Sequence, residues 1–398
     1  MYLAQSQPEA LALALLSMCC WGSWSNTVVF CGGRLRFELY YVNYVIGILA
    51  TAFLAALTLG MLNVAGCEQC DVHFIPDDFE VEVQRLGFGL AAGTVFNLAN
   101  MLLTKGIHMC GLAVAFPLCI GTALVFGTLL THFLEASEGE PVLLFSGVGV
   151  AFLAVCTVSL VHRLKDKQLA ATDSQPEPPH CSQPVPKPQA RQPELRLPEL
   201  RPPAPGQSPE EKSPIAQSVD GEAPAMPPAV GALRKLLVCV VGGVLMSFWS
   251  PLNALAQDGF ESSRGLSPFG AFLAFCMGTF VSTFLLVPLL LAFPLEGGPA
   301  VPIRPVLQEY QQASSAAHAY GLLGGCVWAI GTLANSVSGQ QLSFAASYAI
   351  GQSAPMVSIL WGVFLFREFE GTSAGVKALL VFVCALYIIS IALIGASH

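Results

Sequence analysis

The chain has 398 residues, of which 54% are hydrophobic and only 11% charged, and it carries a net charge of −8. Soluble domains carry roughly a quarter charged residues, so the shortfall excludes an ordinary soluble domain. The acidic balance argues against nucleic acid as a partner.

Apolar runs that reach the roughly 20 residues needed to span a bilayer account for the composition. They predict an all-α membrane protein embedded in the lipid bilayer. Its first five spans fall near 10–30, 42–62, 85–104, 110–131 and 141–162. Five more follow near 233–255, 268–293, 316–337, 341–366 and 374–395. Helices are expected because these lengths exclude short strands, and the alternation of a barrel is absent. The first run has no basic stretch before it and is too long for the core of a signal sequence, so it is kept as a helix.

Between the second and third runs, GCEQCDVH holds Cys67, Cys70 and His73. A four-ligand metal site needs partners the sequence does not offer, so a local disulfide or a pair of thiols is expected there. Most other cysteines lie inside apolar runs and read as small buried hydrophobes. No metal and no cofactor is expected.

Residues 163–232 differ in kind. DSQPEPPHCSQPVPKPQARQPELRLPELRPPAPGQSPEEKSP is rich in Pro, Gln, Ser and Glu. Such a chain cannot bury enough surface to offset its ordering entropy, so a disordered linker is expected between two five-span halves, 1–162 and 233–398. Its PVPKPQ stretch suits a polyproline-binding partner as well as a plain spacer. No GxxxxGK[ST] phosphate loop is present, so nothing points to ATP hydrolysis.

Basic residues beside the spans set the orientation. Arg34, Arg36, Lys105, Arg163, Lys165, Lys167, Arg234, Lys235, Arg304, Arg367 and Lys377 gather on one side, against little beyond Arg85 and Arg264 on the other. The linker is therefore expected in the cytosol, with both termini and the acidic loop 77–82 outside.

The halves match each other. Placing Gly89 on Gly324 without a gap also puts Asn100 on Asn335, Gly127 on Gly362 and Glu135 on Glu370. In a second register WGSWSN (21–26) meets FWSPLN (248–253), each in the first span of its half. These identities fall on polar and glycine positions, which argues for duplication. An odd number of spans per half puts the copies in opposite orientations. Inverted repeats of this kind mark secondary transporters, with the substrate near the midplane.

No Asp, Glu, Lys or Arg falls near the middle of a span, because Lys105, Glu135, Arg367 and Glu368 sit at ends. A neutral cargo held by amides, hydroxyls and rings is therefore expected. The candidates are Trp24, Asn26, Asn97, Asn100, Trp249, Asn253, Trp328, Asn335 and Gln352. An amide unpaired in hydrocarbon costs several kcal/mol. Asn100 and Asn335 therefore read either as a central polar site or as hydrogen-bonding glue between helices. Asn97 shares a helix face with Asn100 and has Thr332, not an amide, as its counterpart, which favours ligand contact. Trp24 and Trp249 lie inside their spans, against a role as interfacial anchors; for Trp328 both roles stand. Pro117, Pro251, Pro288 and Pro355 can kink their helices, which suits gating, though proline is also common in membrane helices. Gly89 and Gly93 form a GxxxG pair fit for close helix contact.

The opening MYLAQSQPEALALALLSMCCWGSWSN resembles that of plant ureide permeases, a Met-Tyr start leading to a first span that ends in Gly-x-Trp. LVFGTLLTHFLE and GVGVAFLAVCTVSLVH are similar to that family's fourth and fifth spans, FWSPLNALAQDGF to its sixth, and PMVSILWGVFLFREFEGTS to its ninth and the loop after it. The resemblance implies the drug/metabolite transporter superfamily: ten transmembrane helices as two inverted five-helix repeats, with a cytosolic central loop. It implies uptake of allantoin, uracil, xanthine and related oxo-heterocycles into the cell, with protons. The chain departs from the family in two ways. Its linker lacks the phosphate-loop-like motif, and no mid-span carboxylate is present to carry a proton. Glu135, Glu370 and His132, at helix ends, are the nearest candidates.

The expected function is a secondary transporter of small neutral nitrogenous oxo-heterocycles in the plasma membrane, working by alternating access, facilitated or proton-coupled as a symporter. A sugar transporter of the same superfamily is the alternative, since amides and indoles suit sugars too. A non-transporting receptor or scaffold that works through the linker is the second. An enzyme is not expected, because the spans show no nucleophile–base pair, metal set or GxSxG turn.

Overall fold

The computed structural model of the protein describes residues 1–62, 74–75, 77–110, 114–115, 117–134, 140–173, 228–258, 265–295 and 299–397. Cys67, Cys70, His73, Glu135 and the PVPKPQ stretch lie outside the described residues. The described chain is helical, without strands.

The first half comprises α1 (Gln7–Ser23), α2 (Asn26–Cys31), α3 (Phe37–Leu57) and α4 (Val83–Cys110). A π-helical turn (Pro117–Gly121) then leads into α5 (Thr122–Leu134), and α6 (Pro141–Asp173) follows. The second half begins with α7 (Pro228–Met246), α8 (Trp249–Gln257) and α9 (Pro268–Ala292), followed by a short amphipathic α10 (Ile303–Gln312). It ends with α11 (Ser315–Leu342), α12 (Phe344–Gly351), α13 (Pro355–Phe364) and α14 (Ala374–Gly395). Ser6, Ser267, Ser314 and Ser373 cap helices, their hydroxyls accepting the backbone N–H of Glu9, Gly270, Ala317 and Val376, the usual means of satisfying a first-turn donor.

Among the described residues, nine helical stretches are long and apolar enough to cross a membrane. The expected span at 341–366 is not one of them: it is divided into α12 and α13, each too short to cross alone. Span ends also move outward. α3 begins at Phe37 and α4 runs to Cys110, so each carries a charge into the bundle. Glu38 and Lys105 are both buried and pair at 3.1 Å. α6 runs on to Asp173, and its Lys165 pairs with Glu368 at 3.2 Å. A hydropathy window stops where charges begin, and it cannot see that these charges neutralise one another across helices.

Four spans are interrupted. The first breaks between α1 and α2, the sixth between α7 and α8, the ninth between α12 and α13, and the fourth opens with the π-helical turn. Pro251 lacks the N–H that would bond back to the Ser247 carbonyl, at the turn before α8. Pro355 opens α13 in its first turn, where a missing donor costs little, and Pro117 opens the π-helical turn. Pro288 lies inside α9, which continues through it.

The interruptions rest on one another. A Cβ added at Gly22, just before the first break, would lie 2.5 Å from the Ala354 carbonyl oxygen at the break of the ninth span. One added at Gly243, before the break of the sixth, would lie 2.6 Å from the Leu118 carbonyl oxygen in the π-helical turn. Helix contacts follow the same exchange between halves. α3 packs on α11 as α9 packs on α4, α1 packs on α11 as α4 packs on α7 and α8, and α6 packs on α14.

The GxxxG pair lies at one of these crossings. A Cβ on Gly93 would sit 1.8 Å from the Phe275 carbonyl oxygen of α9, and Gly278 meets the Leu90 carbonyl in the same way at 2.1 Å. Gly93→Leu is therefore expected to cost about 3 kcal/mol or more, the upper range for overpacking, because the opposing atom is backbone. The readout is loss of the monodisperse peak in detergent size-exclusion. Gly87→Ala, with no atom within 4 Å of the new Cβ, should leave that peak in place.

At the end of the bundle opposite the termination of α6, Asp78 accepts hydrogen bonds from the backbone N–H and the hydroxyl of Ser267, at the start of α9. Burial pushes its carboxyl from 3.8 up to about 6, assisted by Asp77 and opposed by the Ser267 hydrogen bonds. A carboxyl raised on folding stabilises the protein fully below its unfolded value, and that contribution is lost as pH rises through the folded value. Melting temperature should accordingly fall between about pH 4 and pH 6, and Asp78→Asn should flatten that part of the profile.

Candidate substrate-binding site

The interrupted spans surround a cavity of about 250 Å³, near the lower end of the roughly 300–1,000 Å³ usual for ligand pockets. Its floor is aromatic. Trp21 lies near the end of α1 and Trp24 at its cap, Trp249 is the first residue of α8, Trp328 lies midway along α11, and Phe96 comes from α4. Trp21 and Trp328 are nearly parallel, with centroids 6.5 Å apart and planes at 16°. Phe96 stacks on Trp328 at 4.6 Å, and Trp249 meets Trp21 edge-on at 5.8 Å. Such contacts contribute about 0.5–1.5 kcal/mol per pair beyond area burial, so the floor is preorganised. Trp21 donates its indole N–H to Thr332 Oγ1 at 3.0 Å. Among the described residues, the indoles of Trp24, Trp249 and Trp328 have no such acceptor.

The polar part of the wall comes from α4 and from the break of the ninth span, where Asn100, Thr104, Gln352 and Ser358 face the cavity. Asn100 donates to the Tyr41 hydroxyl at 3.2 Å, and Tyr41 donates to Asn97 Oδ1 at 2.8 Å. Asn97 in turn donates to Ser282 Oγ, Thr283 Oγ1 and the Thr279 carbonyl, at 2.8 to 3.0 Å. The side-chain Oδ1 of Asn100 has no partner among the described residues, whereas both ends of the Asn97 amide are engaged.

Of the residues singled out by sequence, Trp24, Asn100, Trp249, Trp328, Gln352 and Pro355 line the cavity. Asn97 lies outside the wall, fully buried against α3 and α9. Asn335 is buried too, and its amide donates to the Ser347 carbonyl at 2.7 Å, tying α11 to α12. Asn26 and Asn253 are buried on the short helices α2 and α8, away from the wall. Pro117, Pro251 and Pro288 do not line it either. Sequence reasoning passed over Trp21 and Phe96. Both had a signal: Trp21 lies three residues before Trp24 in WGSWSN, and Phe96 lies four before Asn100, positions that share a helix face.

Toward one end the wall continues through Val28, Leu103 and Ile107 to His162, Glu368 and Phe369. This is the face where α6 ends and α7 begins. At the opposite face, Arg85 of α4 donates to the Leu255 carbonyl at 2.7 Å and pairs with Asp258 at 2.8 Å. Gln257 donates to Ser336 Oγ at 2.8 Å, so α4, α8 and α11 are tied together there.

A helical bundle with a cavity among broken, apolar helices has the construction of a membrane carrier for small molecules. The family model of ureide permeases matches residues 40–187 and 230–397, and the chain belongs to that family. It is 25% identical to Ureide permease 1 of Arabidopsis thaliana over all of this chain and 99% of that protein. It is 26% identical to Ureide permease 5 of the same plant, over all of this chain and 96% of the relative. A shorter match to Probable ureide permease A3 of Vigna unguiculata has 25% identity over 39% of this chain and 41% of that one. The protein is thus a multi-pass membrane transporter.

The amide chain predicts two different mutants. Asn97→Ala strands several buried groups and should lower stability by about 1–3 kcal/mol, read as a fall in melting temperature in detergent. Asn100→Ala removes one hydrogen bond at a cavity wall and should shift the melt by about 1 kcal/mol or less.

Proposed function

We propose that the chain carries small neutral nitrogenous oxo-heterocycles, the class of allantoin, uracil and xanthine, by alternating access at the plasma membrane. In this reading 1–162 and 233–398 are inverted repeats, 163–232 is a cytosolic linker, and the termini face outward. The exchange of helix contacts between halves supports the repeat, and the relatives' name supports the ureide class. The cavity then opens to the cytosol.

The observation that carries the cargo class is the pairing of stacked indole faces with unbonded donors around one open amide. A planar ring stacks on Trp328 and Trp21, ring carbonyls accept from the indoles of Trp24, Trp249 or Trp328, and a ring N–H donates to Asn100 Oδ1. A sugar would use hydroxyl and amide groups of the same wall, and what favours the heterocycle is the set of unbonded indole donors beside aromatic faces. His162 and Glu368 are the titratable side chains on the wall.

The test is radiolabelled uracil and allantoin uptake in yeast lacking its own permeases for them, with surface level measured in parallel. Wild type should accumulate label, and Asn100→Ala should reduce uptake at low substrate about fivefold to tenfold, the value of one hydrogen bond. Asn335→Ala should act through protein level alone. Well-expressed wild type without heterocycle uptake would sink the cargo class, and undiminished uptake by Asn100→Ala would remove Asn100 from the site.

A further inference from the structure

The end of the cavity wall at His162, Glu368 and Phe369 carries a charge arrangement that transport of a neutral ring does not require. Glu368 lies on the wall, and its carboxylate pairs with Lys165 at 3.2 Å. The two are not equally placed. The Lys165 side chain is 4% exposed and that of Glu368 14%, and only Glu368 belongs to the wall. Behind the carboxylate, the Lys165 ammonium sits 5.0 Å over the Phe369 ring. His162, one turn before Lys165 on α6, stands beside the same ring at 6.1 Å. A molecule entering from this face therefore meets the negative end of the pair.

The turn that presents the carboxylate is held under strain. Arg367 adopts φ +51°, a left-handed conformation unfavourable for a residue with a side chain. The Glu368 N–H donates to the Gly362 carbonyl at 2.9 Å, which folds the turn back on α13. A Cβ at Gly362 would lie 3.6 Å from either Glu368 oxygen, so the carboxylate lies over the one position on that turn of helix that lacks a side chain. Arg367 itself points away, exposed, and pairs with Glu370 at 3.5 Å. The buried pair on this face, Glu38 with Lys105, is not part of the wall.

We infer that Glu368 is a specificity-determining residue, a charge filter at the cavity mouth that rejects anionic heterocycles and admits neutral ones. Lys165 is its positioning partner, holding the carboxylate on the wall. In the low-dielectric mouth, an incoming carboxylate is repelled by Glu368 before it can approach the buried ammonium. This rests on the cargo class proposed above, and it adds the charge rule that divides that class.

The experiment measures inhibition of radiolabelled uracil uptake by unlabelled uracil and by orotate, the same ring bearing a carboxylate. The readout is the ratio of the two inhibition constants within each variant, so it does not depend on protein level. Wild type should favour uracil strongly. Glu368→Gln makes the mouth one charge more positive and should shift the ratio toward orotate about tenfold, the effect of roughly 1.4 kcal/mol. Glu368→Asp should keep the wild-type preference. Because changing one member of a buried pair can lower folding yield, the doubly neutral Lys165→Met/Glu368→Gln is measured as well and should also shift toward orotate. An unchanged ratio in both Gln-bearing variants overturns the filter, as does a wild type that binds orotate as well as uracil. Wild type at normal surface level that takes up no uracil overturns instead the cargo reading on which the filter rests.

Discussion

Within hydrocarbon a backbone amide has no water to turn to, so a helix can be interrupted only where protein or a polar cavity receives its orphaned groups. This constraint organises the molecule. The breaks of the first, sixth and ninth spans and the π-helical turn of the fourth are gathered around one cavity. Gly22 and Gly243 bring them against one another in pairs. The cavity wall then follows from the breaks. Trp24 caps α1, Trp249 opens α8 and Gln352 caps α12. A continuous helix would direct these side chains at fixed angles toward its neighbours, whereas an interruption turns them inward.

The parts that do not break are unusually close. Glycine set against backbone carbonyl joins α4 to α9 and α3 to α11, where Gly325 meets the Tyr44 carbonyl. Pairs packed in this way cannot shear without a clash between backbone atoms. The chain from Asn100 through Tyr41 to Asn97 and Thr283 crosses from the cavity wall to both α3 and α9. A ligand that draws on the Asn100 amide therefore acts on a hydrogen-bond network shared by three helices. Under the alternating access proposed above, the motion would be rocking of these helix pairs about the interrupted spans. The contacts that must part at the far face are those of Arg85 with Leu255 and Asp258.

How much of this was legible in the sequence differs by level. The apolar runs were legible because membrane thickness fixes a length that composition reveals. Their ends were less so, because Glu38, Lys105, Lys165 and Glu368 look like solvated boundaries until their pairing in space is known. The indoles of Trp24 and Trp249 stood out by their depth within the runs. Asn97 and Asn100 did not separate, because three residues on a helix turn through about 300°, leaving the two side chains roughly 60° apart. That angle is enough to send one against α9 and the other to the cavity. The short α10 is below the length that signals a span, and only its packing on Asn43 through Tyr310 reveals it.

On the repeat proposed above, the matched asparagines reach different surroundings. Asn100 and Asn335 occupy equivalent positions, and each is buried in the third span of its half. A small heterocycle has no two-fold symmetry, so it cannot use both amides in the same way. Asn335 is engaged within its own half, where Ser347 accepts from its amide and donates to its backbone carbonyl. Neither side-chain oxygen has a partner among the described residues, and the difference is one of place: Asn100 lines the cavity and Asn335 does not. In the proposed carrier pseudosymmetry would supply the two states, and recognition of an asymmetric ring would require that symmetry to be broken at the wall. The half-buried carboxylate on the wall differs between the halves as well, since the residue aligned with Glu368 in the first half is Phe133, exposed and outside the wall.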